Sequence, residues 1–107
     1  MGDNFYGKKD IEKAAKMFAP KPEIMKAFLD FDARAFAAGS LDVKTKELIA
    51  VACAHVTQCP YCIEGHTKRA KKAGAADEEI AEAIFVAAAM RTGGSMAHSS
   101  IAMDALE

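Results

Sequence analysis

Residues 59–66 read Cys59-Pro60-Tyr61-Cys62-Ile63-Glu64-Gly65-His66: two thiols separated by two residues, with an imidazole four positions after the second. Pro60 favours a helix that begins there, because the N–H that proline lacks would have no partner at the first helical position. The sequence therefore predicts that Cys59 is the N-cap of a helix reaching Lys72. Both sulfurs would then lie near unpaired N–H groups and the positive end of the helix dipole, which favours the thiolate.

His66 is the candidate proton-transfer group. Residues four apart share a helix face, so His66 can reach Cys62 as a base or as a hydrogen-bond partner. These are the parts of an activated sulfur nucleophile. Eleven residues separate Glu47 from Cys59, and this spacing is the only feature of the sequence that distinguishes Glu47 from a capping or solvated charge. The residues alone leave open which sulfur attacks, since an N-cap cysteine such as Cys59 is also well placed to ionise.

The composition indicates one small all-α domain over residues 1–107. Of the 107 residues 51% are hydrophobic, there are only three Pro and no Trp, and Ala, Lys and Glu are abundant. This mixture favours helix over sheet. The net charge of −1, with both signs interspersed, predicts neither a nucleic-acid surface nor an anionic-membrane surface.

The sequence also predicts a cytoplasmic protein. No apolar run approaches the ~20 residues that a transmembrane helix needs. Residues 1–6 lack the basic-then-apolar layout of a signal peptide. Two of the three cysteines lie in the CxxC, which fits a reduced compartment and a catalytic dithiol better than a structural disulfide framework.

Apolar periodicity and helix-end signals predict five or six helices and no strands. Residues 1–9 are polar and are expected to be loose. The predicted helices are 10–18, from about 23 to Gly39, from a cap at Ser40 or Asp42 to about 57, 60–72, from Asp77 to a break at Gly93-Gly94, and from a cap at Ser95 onward.

Two apolar runs predict extensive burial. The run 48–54 is apolar on every side of its helix, which predicts burial nearly all round, with Cys53 as a small core residue. The run 83–90 is similar. Two such helices exceed what one small domain hides, so we expect a homo-oligomer to cover the remaining apolar surface.

The string Glu47-x11-Cys59-x2-Cys62-x3-His66, approached through Leu41-Asp42-x-Lys44-x-Lys46-Glu47-Leu48-Ile49, resembles the alkylhydroperoxidase D family, also called the carboxymuconolactone decarboxylase-like family. The resemblance covers roughly residues 20–95. It implies an alkylhydroperoxidase D-like helical bundle in a homo-oligomer, expected to be a trimer or hexamer. It also implies that Cys62 attacks the peroxide, that Cys59 is its disulfide partner, and that His66 and Glu47 form a proton relay working partly through water.

The activity implied is the reduction of alkyl hydroperoxides or disulfides through a Cys59–Cys62 disulfide. No bound cofactor is implied; the reductant would be an external dithiol, such as a thioredoxin-like protein or a lipoyl-type carrier. Tyr61 departs from the best-studied peroxidase branch, which has a histidine just before the second cysteine. This departure favours an alternative, a disulfide reductase with little peroxidase activity.

A zinc-binding structural module is the rival interpretation outside the enzyme class. Cys59, Cys62 and His66 would supply three tetrahedral ligands, with His55 or Glu47 as the fourth. We expect no metal, because the sulfurs lie at a helix start and the sequence has no second Cys/His pair.

The remaining polar candidates are weaker. His55 and Tyr61 are candidates for lining a substrate site, although packing explains both. His98 has no apparent partner in the sequence and is expected to be structural or exposed. The basic run 68–72 is most simply a solvated helix end, and otherwise a docking surface for an acidic redox partner.

Overall fold

A computed structural model describes residues 8–107 as a set of five α-helices. They are α1 (Lys8–Phe18), α2 (Pro22–Phe36), α3 (Val43–Thr57), α4 (Pro60–Lys72) and α5 (Asp77–Leu106). No strand occurs within this range, and the prediction of an all-α fold is confirmed. Of the segment 1–9 that was expected to be loose, residues 1–7 lie outside the described range. Lys8 and Lys9 belong to α1, so the expectation was wrong for these two.

The chain divides into two compact units, Met1–Lys46 and Glu47–Glu107, and the division lies inside α3. The prediction of one domain over residues 1–107 stays a prediction. No helix in the described residues combines the length and the apolar character needed to cross a membrane. The candidate site residues all lie in the second unit.

In the first unit, Lys46 determines where α2 ends. Its Nζ donates to the carbonyls of Ala35 at 2.9 Å and Ala37 at 2.6 Å, so a cation satisfies the carbonyls that a helix C-terminus leaves unpaired. Ala37 has extended backbone angles, and α2 stops at Phe36. Gly39, which was predicted to close the helix, lies three residues beyond the last residue of α2 and does not adopt positive φ.

The core of the second unit is built from small side chains. Val51 and Ala70 are fully buried, and Ala75 and Ile80 join them with Leu48 and Ile84 packed alongside. Gly74 ends α4 with φ 98°, and the Ala75 N–H reaches back to the Ala70 carbonyl at 2.9 Å. This arrangement is a Schellman motif, in which glycine adopts the left-handed conformation without steric cost.

The prediction of burial nearly all round residues 48–54 was wrong. Only Val51 and Ala54 are buried in that run, whereas Cys53 and Ile49 are exposed. Glu47, Val51 and Ala54 recur at the spacing of one helix face. Within the chain α3 therefore hides that single face, and Cys53, which was predicted to be a core residue, lies outside it.

The predicted break at Gly93-Gly94 does not occur, and α5 runs through it for 30 residues. Neither glycine has the positive φ of a helix-ending residue; among glycines of the described residues only Gly74 does. Glycine inside a helix costs about 1 kcal/mol relative to alanine, which good helix formers on both sides can offset. Ser95 accordingly caps no new helix, and residues 8–107 form five helices.

Candidate functional site

The two cysteines of the CxxC lie together at the start of α4. Cys59 is the N-cap residue, and its Sγ accepts the backbone N–H of Cys62 at 3.3 Å. The two sulfurs are 2.6 Å apart and both are free thiols. Since a disulfide bond is about 2.05 Å long, the two sulfurs need to move only slightly when an oxidant takes up the two electrons and two protons of the pair. Both residues are partly exposed, so a small oxidant can reach this end of the helix.

The short distance between the two sulfurs disfavours ionisation of the Cys62 thiol. The hydrogen bond with Cys59, followed by burial and by the charge on Cys59, raises the pKa of Cys62 to about 11. Once one of two thiols in contact has lost its proton, the negative charge holds the remaining proton more tightly, and that proton is lost only at high pH. The expectation that the helix start favours the thiolate was therefore wrong for Cys62, because the contact with Cys59 and burial both favour its protonated form.

Glu47 and His66 form the second contact of the site. Glu47 Oε1 lies 2.7 Å from Nδ1 of His66, joining the first turns of α3 to α4. The Glu47 side chain is 5% exposed and the His66 side chain 16%. A carboxylate so well buried must be hydrogen-bonded to be tolerated, and the acceptor here fixes the proton of a neutral imidazole on Nδ1. In that tautomer Nε2 is the basic nitrogen.

The turn between α3 and α4 places the dithiol. Only Gln58 and Cys59 separate the two helices. Gln58 adopts φ 56°, a left-handed conformation that is uncommon for residues other than glycine. The Cys59 N–H closes the turn on the Ala54 carbonyl at 3.1 Å. Such backbone strain in a residue adjoining a nucleophile is typical of functional sites.

Sequence reasoning missed one residue at this turn, Arg91 of α5. Its Nη1 donates to the carbonyl of Val56, in the last turn of α3, at 2.7 Å. The available signal was its isolation: no other Lys, Arg, Asp or Glu occurs between Glu82 and Asp104. Because Arg91 is exposed, water can also satisfy its charge, and nothing in the sequence pairs it with a carbonyl of α3.

The weaker candidates are placed as follows. His55 is half-buried and its Nδ1 bonds to the Val51 carbonyl of its own helix at 2.8 Å. Tyr61 is half-buried in the first turn of α4. His98 is exposed. These positions leave the substrate-lining role of His55 and Tyr61 a prediction.

The four basic side chains among residues 68–72 are exposed, and two of them are paired. Lys68 bonds to Glu64 at 3.0 Å and Lys71 to Asp77 at 2.7 Å. The cations complement the negative end of the helix dipole.

The zinc interpretation needs a group of at least three metal-ligating side chains. Within residues 8–107, no three His, Cys, Asp or Glu side chains are arranged to hold a metal ion.

The described residues thus combine an all-α fold, two thiols in contact at the start of α4, and a buried carboxylate–imidazole pair that joins α3 to α4. The model of the carboxymuconolactone decarboxylase family matches residues 22–105. The chain belongs to this family.

Relatives agree with this assignment. An uncharacterised protein of the cox locus of Paracoccus denitrificans is 57% identical over 81 residues, which are 76% of this chain and 73% of that protein. The crystal structure of an apo carboxymuconolactone decarboxylase family protein from Legionella pneumophila is similar with a TM-score of 0.73 and 38% identity, covering 92% of this chain and 88% of that one.

A second solved structure, of a family protein from Thermotoga maritima, gives a TM-score of 0.64 and 34% identity, covering 74% of this chain and 68% of that one. That protein has been suggested to take part in an antioxidative response.

Proposed function

We propose that this protein is a thiol-dependent oxidoreductase that reduces alkyl hydroperoxides, cycling Cys59 and Cys62 between dithiol and disulfide. The single observation that carries the proposal is the contact of two free thiols, 2.6 Å apart at a helix start, beside the Glu47–His66 pair. The suggested antioxidative role of the Thermotoga maritima relative supports the same class of reaction.

Cys62 attacks the peroxide in the proposed reaction. Its sulfur displaces the alkoxide from the O–O bond and becomes a sulfenic acid. Cys59 then attacks the Cys62 sulfur, so that the disulfide forms and water leaves. An external dithiol, of the thioredoxin-like or lipoyl type, exchanges with the disulfide and restores both thiols. The sum is one hydroperoxide and one external dithiol converted to an alcohol, water and an external disulfide.

The raised pKa of Cys62 gives the Glu47–His66 pair a defined task. Because Cys62 holds its proton at neutral pH, that proton must leave as the sulfur attacks. His66 lies four residues after Cys62 on the same helix face. Its Nε2 takes the proton and returns it to the departing alkoxide, while Glu47 stabilises the imidazolium through Nδ1.

A second candidate function is a disulfide reductase with little peroxidase activity, and one observation favours it. Two groups approach Cys59 Sγ, the Cys62 backbone N–H and the Cys62 thiol. A cysteine at the N-cap, in contact with the second thiol, is the usual attacking residue of a CxxC motif in thiol–disulfide exchange. In that reaction Cys59 attacks the substrate disulfide and Cys62 resolves the mixed disulfide.

The test is intact-mass analysis of alkylated protein before and after one equivalent of an alkyl hydroperoxide. A Cys53→Ser background removes the third thiol. We expect two alkylatable thiols to be lost and a Cys59–Cys62 disulfide to appear. If both thiols survive hydroperoxide but are lost to a small disulfide, the second function holds. If neither oxidant reacts and purified protein carries one zinc per chain, the zinc module replaces both.

We also propose that the chain works as a homo-oligomer, a trimer or hexamer. Large apolar side chains remain exposed on α2 and α5, among them Phe31 at 69%, Phe85 at 72% and Met90 at 68%. Exposed apolar area on this scale marks a protein interaction surface. Light scattering at micromolar concentration that gave the mass of a single chain would contradict this.

A further inference from the structure

Arg91 is a charged residue that the proposed dithiol chemistry does not use. It lies near the middle of α5, and its Nη1 donates a 2.7 Å hydrogen bond to the carbonyl of Val56, 35 residues earlier. Val56 lies in the last turn of α3, where carbonyls have no partner inside the helix. Arg91 therefore caps α3 from another helix, and its charge complements the negative end of the α3 dipole.

The turn that follows this cap has little freedom. Gln58 is held at φ 56°, and the Cys59 N–H reaches back to Ala54 at 3.1 Å. Thr57 Oγ1 bonds to the same Ala54 carbonyl at 3.4 Å. The position of Cys59 is thus tied to the last turn of α3. If that turn frays, Gln58 can relax from its strained conformation, and Cys59 then shifts relative to Cys62.

We propose that Arg91 is a positioning residue for the dithiol: by capping α3 it holds the Gln58 turn and keeps the two sulfurs in contact. Its consequence for turnover rests on the proposed function. Its consequence for the dithiol–disulfide equilibrium does not, because that equilibrium depends on how closely Cys59 and Cys62 are held. Arg91 acts through Val56, so the closing of the disulfide is affected and the binding of substrate is not.

The experiment uses three variants of the full chain in the Cys53→Ser background. Arg91→Met removes the donor and the charge, and Arg91→Lys keeps a cation that can reach a carbonyl. Arg69→Met is the matched control, an exposed arginine of α4 with the same loss of charge. Two quantities are measured: the fraction of protein oxidised in mixtures of reduced and oxidised dithiothreitol, and kcat with KM for an alkyl hydroperoxide.

We expect Arg91→Met to lower kcat about tenfold with KM unchanged, as for a misplacement of reacting groups by a fraction of an ångström. The dithiol–disulfide equilibrium should shift about threefold toward the dithiol, since the effective concentration of one sulfur at the other falls. Arg91→Lys should recover most of both effects, and Arg69→Met should match the parent.

An Arg91→Met protein with the equilibrium and kcat of the Arg69→Met control would overturn the proposal, as would a raised KM with kcat unchanged. A parent protein that reduces no hydroperoxide sinks the proposed function, while the dithiothreitol equilibrium still decides the role of Arg91. Should Arg91→Met lose helical circular dichroism, Arg91→Gln decides instead. An intermediate shift of the equilibrium then supports positioning, and the parent equilibrium contradicts it.

Discussion

Two helices that follow one another in the chain, α3 and α4, begin in different ways. Asp42 caps α3 with a carboxylate, whose Oδ1 accepts the Thr45 N–H at 2.7 Å. Cys59 caps α4 with a sulfur, which accepts the Cys62 N–H at 3.3 Å. Aspartate is among the preferred N-cap residues, whereas a neutral thiol is a weak acceptor. The same structural position is thus filled by a strong cap in one helix and a weak one in the other.

The carboxylate cap favours helix stability, whereas the sulfur cap favours reactivity. A carboxylate at a helix start is charged at neutral pH and interacts favourably with the dipole at all times. A sulfur gains the same advantage only when it is ionised, which is the state that attacks oxidants and disulfides. Serine or aspartate would cap α4 better than cysteine. In the proposed function, Cys59 stands at this position for its reaction with Cys62 rather than for the helix it starts.

Replacing each cap by serine should give the largest contrast. Cys59→Ser keeps an N-cap acceptor but removes one sulfur, so peroxide turnover through the disulfide should fall at least about a thousandfold, with Tm unchanged or higher. Asp42→Ser should leave turnover at the parent value. Steady-state peroxide consumption and thermal unfolding measure both. Substantial turnover in Cys59→Ser would show that no intramolecular disulfide is required.

The Glu47→Gln variant tests whether turnover at the dithiol needs the Glu47 side chain of α3, in addition to the turn that positions Cys59. Glu47→Gln keeps the shape and a hydrogen-bond acceptor for His66 but removes the charge that stabilises an imidazolium. We expect kcat to fall about a hundredfold, the size of a general acid–base contribution.

Glu64→Gln is the matched control for Glu47→Gln, because Glu64 is a carboxylate of α4 that pairs with Lys68 rather than with His66. It should keep kcat within about twofold, as expected for a partly exposed i,i+4 pair. Equal kcat values in the two variants, measured at saturating hydroperoxide, would remove Glu47 from the mechanism.

Much of α4 and its site could be predicted from local sequence. Pro60 and the Lys71–Gly74 end signal define the helix to the residue, because caps act over three or four positions. The i,i+4 spacing predicted a face shared by Cys62 and His66. The contact of Glu47 with His66 depends on how two helices pack, and only the resemblance to a known family anticipated it.

The errors have physical causes that act beyond local sequence. Lys46 bonds to the carbonyls of Ala35 and Ala37 at the end of α2, eleven and nine residues away. Gly93-Gly94 looks like a stop signal, but a glycine ends a helix only where the chain turns to positive φ. Cys53 is apolar in context yet lies off the face that α3 buries. The pKa of Cys62 follows from a sulfur–sulfur distance that no spacing rule supplies.

That pKa gives the next test of the sulfur cap. Cys59→Ala removes the hydrogen bond and the charge that raise the pKa of Cys62 to about 11, leaving burial alone. The pKa should fall toward the ordinary thiol value of about 8.5, so the thiolate fraction of Cys62 at pH 8 should rise at least about tenfold. The readout is the initial rate of iodoacetamide alkylation at Cys62 against pH, followed by mass spectrometry. A Cys62 profile that matches the parent would mean that Cys59 does not control this proton.

The smallest effect concerns the stability that each cap supplies. Asp42→Ala should lower Tm by a few degrees at neutral pH and Cys59→Ala by less, because the neutral thiol is the poorer acceptor.

Bonds from the Thr45 side chain and then the Thr45 N–H hold the pKa of Asp42 below its usual value. A depressed carboxyl pKa stabilises the fold above the unfolded-state pKa of about 3.9, and this contribution disappears as the pH falls through the folded-state value. The Tm difference between Asp42→Ala and parent should therefore shrink below about pH 4, whereas Asp42→Asn, which keeps the acceptor, should stay near the parent at neutral pH. A Tm loss for Cys59→Ala at pH 7 that equals or exceeds that of Asp42→Ala would contradict the ranking and indicate that Cys59 is already ionised in the resting dithiol.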